Sequence, residues 1–133
     1  MMRLLTGLFA AVALFFLLLV WLLKDRSNRK LWPTIRRARR EVKKMARQHC
    51  PNAKVFSFGA THIDPRHLAI WITTKTDEER DRLRQDPDLP QQLRDALLQV
   101  GYPTAAVPLV AFEIESQETV DRDFGGSWYY ATK

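Results

Sequence analysis

The 133-residue chain has a single cysteine, Cys50, and three histidines. One thiol excludes a disulfide framework and a four-thiolate zinc site. Glycine and proline are also scarce, at five and seven residues, so the chain is neither collagen-like nor a flexible low-complexity sequence. It contains no dinucleotide or phosphate-loop fingerprint, no nucleophile elbow and no HExxH or kinase signature. Without such a motif no reaction can be named, and we predict no cofactor and no metal.

The formal net charge of +6 is concentrated in one segment of the chain. Residues 1–23 carry one charged side chain, Arg3. Residues 24–50 carry a net charge of +9, whereas residues 51–133 carry −4. These breaks in composition predict three parts: an apolar anchor over 1–23, a basic connector and helix over 24–50, and one small domain over 51–133.

The chain begins with an apolar run from Leu4 to Leu23 in which only Thr6 and Gly7 are neither aliphatic nor aromatic. As a helix, such a run extends about 30 Å, which matches the hydrocarbon core of a bilayer and predicts a transmembrane helix. The alternative is a cleaved secretory signal, whose core of about 7–15 residues is followed by a small-residue cleavage site. Because the run here passes directly into Lys24, we expect an uncleaved signal-anchor.

The basic residues that flank this run predict its orientation, because lysine and arginine resist translocation. Arg3 is the only basic side chain before the run, whereas nine basic side chains follow within twenty residues. We therefore expect the N-terminus to lie outside the cell or in a lumen, and residues 24–133 to lie in the cytoplasm. A lone cysteine agrees with a reducing compartment.

The segment 24–30 has nothing to bury, which predicts a short connector. After it, apolar residues recur at steps of three and four, which predicts an amphipathic helix that ends at Pro51. Basic side chains occupy the side opposite the apolar stripe. The stripe consists of Leu31, Ile35, Ala38, Val42, Met45 and His49.

Several uses of this basic helix remain open. Its stripe can cover the following domain with the arginines in solvent, and its basic side can also hold the anionic headgroups of a lipid bilayer. Nucleic acid is not expected as a partner, because no recognisable base-reading or stacking motif accompanies the charge. Pairing of two such helices is open as well, although the stripe is short for a coiled coil. The predicted lipid-binding residues are Lys24, Arg26, Arg29, Lys30, Arg36, Arg37, Arg40, Lys43 and Lys44.

The rest of the chain has the pattern of a small α+β domain. Alternation of apolar and polar residues predicts a strand over 54–61, with Phe56 and Phe58 on one face, and a second strand over 67–74. The segment 63–66 contains an Asp-Pro pair, which favours a turn. These two strands are therefore predicted to form a hairpin.

Helices and further strands follow this hairpin. Thr76 and Glu79 have the spacing of a capping box, and an apolar face from Leu89 to Val100 predicts a second helix. Alternation over 109–114 predicts a third strand, and the aromatic segment 127–131 predicts a fourth. The predicted fold is a two-layer α+β domain with helices on one face of a mostly antiparallel sheet of about four strands.

Two local groupings contain residue types that are common in chemical sites. His62, Asp64 and His67 surround the predicted turn, but they supply three metal ligands at most, in a geometry that depends on the hairpin register. His49 and Cys50 are adjacent in sequence, so their side chains point in different directions on a helix, whereas a catalytic pair needs hydrogen-bond contact. An inert thiol is the preferred interpretation.

The segment 116–130 has the most unusual composition of the domain, because acids surround one arginine and a glycine pair precedes three aromatics. One interpretation is a ligand or peptide groove in which the arginine contacts an anionic group and the aromatics form a wall. The other is a glycine turn beside core aromatics and a local ion pair. The residues assigned to the ligand site are Arg122, Asp123, Trp128 and Tyr130.

The sequence as a whole predicts a single-pass membrane protein. Its cytoplasmic α+β domain is expected to act as a non-catalytic interaction or adaptor module, with the polybasic helix near anionic lipid and an unidentified protein as partner. One alternative is a small membrane-bound enzyme or ligand sensor with its site near Arg122 and Trp128. Another is nucleic-acid binding through the basic helix.

Overall fold

The computed structural model describes residues 2–29 and 31–133, with the side chains of 7–22 and 31–133. These residues form helices and a small sheet, which places the chain in the predicted α+β class. The helices are α1 (Met2–Arg29), α2 (Leu31–His49), α3 (Asp77–Arg84), α4 (Leu89–Gln99), α5 (Gln117–Phe124) and α6 (Trp128–Ala131). The strands are β1 (Lys54–Phe58), β2 (Ala69–Thr74) and β3 (Ala111–Ser116).

Helix α1 contains the apolar run, and its described side chains, over 7–22, are all exposed. Among the described residues, no helix combines the length and the apolar character needed to cross a bilayer. This finding contradicts the predicted single-pass signal-anchor, its outer or luminal N-terminus and the cytoplasmic placement of the domain.

Helix α2 packs against the domain, which is one of the uses predicted for it. Its buried side chains are Leu31, Thr34, Ile35, Ala38, Val42 and Ala46. His49, which was placed in the stripe, is exposed and lies 3.2 Å from the Asp86 carboxylate. Because a helix completes a turn in 3.6 residues, Ala38, Val42 and Ala46 lie nearly along one line, and this line faces the core.

Strands β1 and β2 pair in the antiparallel direction, as the predicted hairpin requires. Lys54 lies opposite Thr73, and Phe56 lies opposite Trp71. At the connection, the Asp64 carboxylate accepts a hydrogen bond from the backbone N–H of Arg66 at 3.0 Å. This bond is the Asp-Pro turn chemistry that the sequence indicated.

Strands β2 and β3 pair in parallel, so the predicted mostly antiparallel sheet of about four strands is wrong. The described sheet has three strands in the order β1-β2-β3 and is mixed. The chain leaves β2 at Thr74 and enters β3 at Ala111 after two helices. A connection of this length carries the chain back to the starting end of the neighbouring strand, which a short hairpin cannot do.

The predicted fourth strand over 127–131 is also wrong, because this segment forms the one-turn helix α6. Gly125 and Gly126 have φ angles of 59° and 81°, a left-handed conformation that ends α5. The N–H of Gly126 then bonds to the carbonyl of Val120 at 2.9 Å. This cap turns the chain into α6 rather than along a sheet edge.

The core lies between the sheet and the helices α2 and α4. Ile70 and Ile72 point inward from β2 and join Val42 of α2 and Leu93 and Leu97 of α4 in one buried cluster. Side chains at the alternate positions form the other surface of the sheet, which we call the open face. The open face consists of Lys54, Phe56, Phe58, Ala69, Trp71, Thr73, Ala111, Glu113 and Glu115.

The helices do not all lie on one side of the sheet, contrary to the prediction. The Trp128 ring of α6 contacts the Phe56 ring edge to face, with 5.7 Å between ring centroids. Phe56 belongs to the open face, so α6 covers part of that face. The glycine cap after α5 is what directs the last turn there.

Candidate functional site

A cleft of ≈ 420 Å³ lies where α2 ends, β1 begins and β2 ends. Arg47 comes from the last turn of α2, Lys54 is the first residue of β1, and Lys75 directly follows β2. Pro51 ends α2, and the antiparallel hairpin places the start of β1 beside the end of β2. We call this the basic cleft. It is lined by Arg47, Pro51, Asn52, Lys54, Thr73, Thr74, Lys75 and Gln117.

The basic cleft has an uncompensated positive charge. Its lining contains three cations and no carboxylate. Over the described part of the chain, none of these cations has a carboxylate within ion-pair distance. The Arg47 Nε donates to the Ala53 carbonyl at 3.1 Å, which fixes this guanidinium at the cleft. Lys54 and Lys75 are exposed, so their ammonium groups can reach a ligand.

A second basic surface continues from the cleft along α2. Four side chains of this helix enclose a shallow pocket of ≈ 320 Å³ against Val55 of β1. The positions 36, 40, 43 and 47 follow the steps of a single helix face. We call the side chains at these four positions, together with Arg39, the cationic row: Arg36, Arg39, Arg40, Lys43 and Arg47. The row therefore follows the β1 edge of the sheet and ends in the basic cleft.

The structure divides the predicted lipid-binding residues into groups. Arg36, Arg40 and Lys43 belong to the cationic row. Arg37 and Lys44 are exposed elsewhere on α2, and Lys44 pairs with Glu41 at 3.1 Å. The side chains of the remaining four, Lys24, Arg26, Arg29 and Lys30, lie outside the described residues.

The second prominent polar group is an ion-pair cluster around Asp77. The Asp77 carboxylate accepts hydrogen bonds from the hydroxyls of Ser116 and Thr119, the latter at 2.6 Å, and from Arg122 at 3.0 Å. Arg80 lies 3.3 Å from the same carboxylate. The pKa of Asp77 is well below its ordinary value, chiefly because the Ser116 and Thr119 hydroxyls bond to the charged form. The cluster ties the start of α3 to the end of β3 and to α5.

The four side chains assigned to a C-terminal ligand site have different partners in the structure. Arg122 bonds to Asp77 and also lies 3.2 Å from Asp123, so its charge is already matched. The Trp128 Nε1 donates to the Gln117 side-chain oxygen at 2.8 Å. Tyr130 packs edge to face on Tyr129, with 5.3 Å between ring centroids. Arg122 thus pairs with a local carboxylate, Asp123, and with one distant in the chain, Asp77.

The structure shows the environments of Cys50 and Asp64, one residue from each of the two groupings described from the sequence. Cys50 is fully buried and its thiol contacts the Glu79 carbonyl at 3.6 Å. Burial and the Glu79 carboxylate raise the pKa of this thiol, which disfavours the reactive thiolate. Asp64 caps the turn and pairs with Arg66 at 3.2 Å. Among the described residues, no three metal-ligating side chains come together.

A further groove of ≈ 310 Å³ lies between α4 and the outer edge of β3. Leu89 and Leu93 contribute its apolar floor together with Phe112. Its rim carries both arginines and acids, so its charge selects no ligand class. The groove therefore supports a binding role less specifically than the basic cleft does.

The predicted site residues omit Arg39 of the cationic row and also the three cations of the cleft, Arg47, Lys54 and Lys75. The cleft cations lie on three different elements, and no local pattern links positions so far apart in the chain. The helical step from Lys43 to Arg47 was the available signal for the first of them. For the two lysines, only the β1–β2 register brings them to one place.

Comparison with known proteins gives no relative from which a role could be transferred. No family model matches the chain, and neither the curated proteins nor the solved structures contain a match to it.

Proposed function

We propose that this protein binds phosphate-bearing ligands in the basic cleft, and that Arg47, Lys54 and Lys75 hold the phosphate. The observation that supports the proposal is the convergence of three cations without a carboxylate among the lining residues. Phosphate oxygens accept charge-assisted hydrogen bonds, which are about twice as strong as neutral ones. An anion of this kind compensates a charge that no carboxylate of the described residues pairs with.

The neutral lining suits recognition of such a ligand. The side-chain amide of Asn52 and the second N–H of the Gln117 amide, whose first donates to Asp121 at 2.8 Å, add donors beside the cations. The hydroxyls of Thr73 and Thr74 donate to the backbone carbonyls of Lys54 and Thr76. The residues that line the cleft include no carboxylate, imidazole or thiol to serve as a general base. The arrangement is therefore that of a binding site, and the proposed activity is binding.

Calorimetric titration of the full-length chain with inorganic pyrophosphate at low ionic strength tests the proposal. Because the described side chains of α1 are apolar and exposed, every buffer contains the same non-ionic detergent. We expect saturable binding. Lys54→Gln and Lys75→Gln should each raise the Kd at least tenfold, since a hydrogen bond to a charged group contributes about 1.5–3 kcal/mol.

The matched control is Lys44→Gln, which removes the same charge from α2 outside both basic surfaces. Lys44 is 73% exposed and pairs with Glu41. Its substitution should leave the Kd within about twofold, as expected for a surface ion pair of little net energy. Absence of saturable binding would refute the proposal, and so would equal weakening by all three substitutions, since that result reflects overall charge alone.

A further inference from the structure

The open face of the sheet carries a cluster of three aromatic rings. Phe56 and Phe58 project from β1 and Trp71 projects from β2. The Trp71 ring lies 6.0 Å from Phe56 and 6.3 Å from Phe58, at interplanar angles of 7° and 23°. Phe56 and Phe58 are 6.2 Å apart at 22°. The three rings are therefore nearly parallel, and we call them the aromatic cluster.

This cluster is accessible. The core-forming helices α2 and α4 lie on the opposite side of the sheet, and α6 contacts the cluster through the Trp128 ring on Phe56. Phe58 is 44% exposed, and the other two rings are half-buried. Grouped aromatic rings on an accessible sheet surface, unlike single exposed apolar side chains, indicate a binding surface.

The aromatic cluster and the basic cleft adjoin each other. Lys54 lines the cleft and is two residues from Phe56 on the same strand, so both side chains project from the open face. Thr73 likewise lines the cleft and is two residues from Trp71. A ligand whose phosphate occupies the cleft therefore has aromatic rings beside it.

Charge changes sign across the sheet. The cationic row follows the β1 edge, whereas β3 places Glu113 and Glu115 on the open face. Glu115 is matched by Arg80 at 2.9 Å, and Glu113 is exposed. A polyanion is therefore attracted along β1 and repelled along β3. Because α2 packs on the opposite side of the sheet from the rings, the polyanion would place its phosphates on the row along the β1 edge and pass around this edge, so that its uncharged parts lie over the rings.

We infer that the phosphate-bearing ligand is a single-stranded nucleic acid, with phosphates on the cationic row and in the basic cleft and with bases on the aromatic cluster. This inference rests on the proposed function of the cleft. Proteins that hold single strands combine a basic groove with aromatic rings on which successive bases stack. In a duplex the bases are stacked and paired inside, out of reach of such rings.

Fluorescence anisotropy with the full-length chain and single-stranded probes of about 15 nucleotides, oligothymidylate and oligouridylate, tests the inference. The comparison ligands are the same strand annealed to its complement and inorganic polyphosphate of equal charge as a competitor. We expect the single strand to bind at least tenfold more tightly than the duplex. Polyphosphate should compete at least tenfold less effectively than unlabelled single strand.

Two substitutions test the stacking directly. Phe58→Leu and Trp71→Leu keep an apolar side chain but remove the ring, and each should weaken single-strand binding about fivefold to a hundredfold, the range for loss of one stacked base. Neither should change pyrophosphate binding. Tyr130→Leu removes an exposed ring outside the cluster and should change neither single-strand binding nor pyrophosphate binding. Phe58 is a surface position, so its substitution remains informative should Trp71→Leu fail to fold.

The outcomes separate the two proposals. The inference would be overturned if single strand, duplex and polyphosphate bound equally well and Phe58→Leu did not weaken single-strand binding. Saturable pyrophosphate binding in the same protein would still support the proposed function of the basic cleft. Failure of the lysine substitutions to weaken pyrophosphate binding would overturn the proposed function itself. Preference for one of the two single-stranded probes would support the inference and show that the site distinguishes thymidylate from uridylate, which differ in the sugar and in the C5 methyl group of the base.

Discussion

The Thr119 hydroxyl of α5 donates a hydrogen bond to the Asp77 carboxylate of α3 across 2.6 Å. The Ser116 hydroxyl bonds to the same carboxylate oxygen, and Arg122 bonds to the other at 3.0 Å. One charged group therefore connects two helices and the end of β3. The protonation state of Asp77 should accordingly affect the stability of the whole domain.

Asp77→Asn should lower the urea midpoint of unfolding at pH 7. Because its partners hold the pKa of Asp77 below the ordinary value, the carboxylate stabilises the fold fully above about pH 4, where the group is also ionised in the unfolded chain. That contribution is lost as the pH falls toward the lower pKa of the folded state. The difference between wild type and variant should therefore narrow progressively in urea titrations below about pH 4.

Asp123→Asn provides the control for this pH dependence. Asp123 is half exposed and pairs only with its neighbour Arg122 among the described residues. Its removal should shift the midpoint little at any pH, as is usual for an exposed ion pair. A pH-independent difference between wild type and Asp77→Asn would contradict the role assigned to the charge.

The Tyr102 phenol should lose its proton at a higher pH than an ordinary tyrosine does. Its side chain is buried and its hydroxyl donates to the Pro65 carbonyl, and burial raises the pKa of the phenol to about 12. The neutral phenol therefore stabilises the fold below about pH 10, and this contribution is lost as the pH rises toward 12. Tyr102→Phe should cost about 1 kcal/mol at pH 7 and remove the late step from the ultraviolet absorbance titration. A titration curve unchanged by this substitution would contradict the assignment.

Gly59→Ala should destabilise the β1–β2 hairpin. Gly59 has a φ of 127°, and a Cβ at this position would lie 2.0 Å from the backbone oxygen of His67. Gly101 has a φ of 86° but open space around it, so Gly101→Ala isolates the conformational cost, about 1–2 kcal/mol. Thermal unfolding should show a clearly larger loss for Gly59→Ala. Equal losses would show that the hairpin relaxes to accept the methyl group.

Binding of the single strand should weaken steeply with salt. Each phosphate neutralised on a single strand contributes about −0.7 to the slope of log Kobs against log salt. The double variant Arg36→Gln/Arg40→Gln removes two members of the cationic row and should make this slope shallower by about 1.4. Arg37→Gln, at an exposed position outside the row, should leave the slope unchanged. A slope that the double variant does not alter would place the phosphates elsewhere.

Local patterns predicted many of the elements correctly. The side chain of Thr76 caps α3 through the Glu79 N–H at 3.2 Å, as the capping-box spacing indicated. The alternation around Phe56 and Phe58 placed both rings on one face. The predicted transmembrane anchor and the fourth strand failed, and for 127–131 propensity alone favoured a strand where the preceding glycines direct a helical turn.

The candidate site was harder to predict from the sequence than the helices and strands were. Three members of the cationic row were named from charge alone, as lipid-binding residues, and the cleft that ends the row was missed. Charge periodicity shows which side of a helix is basic but not what lies beside that side. The register of Lys54 opposite Thr73 supplies this information, since it joins the start of one strand to the end of another.

The amino-acid sequence by itself determined the α+β class, the basic and apolar sides of α2 and the antiparallel hairpin, because these depend on residues within a few turns or strand positions of one another. The tertiary structure alone decided that β3 runs parallel to β2 and that Arg47, Lys54 and Lys75 converge. The physical reason is that strand direction and cleft formation depend on how α2 and α4 pack on the sheet. That packing is a balance of buried area between elements distant in the chain, which no local pattern records.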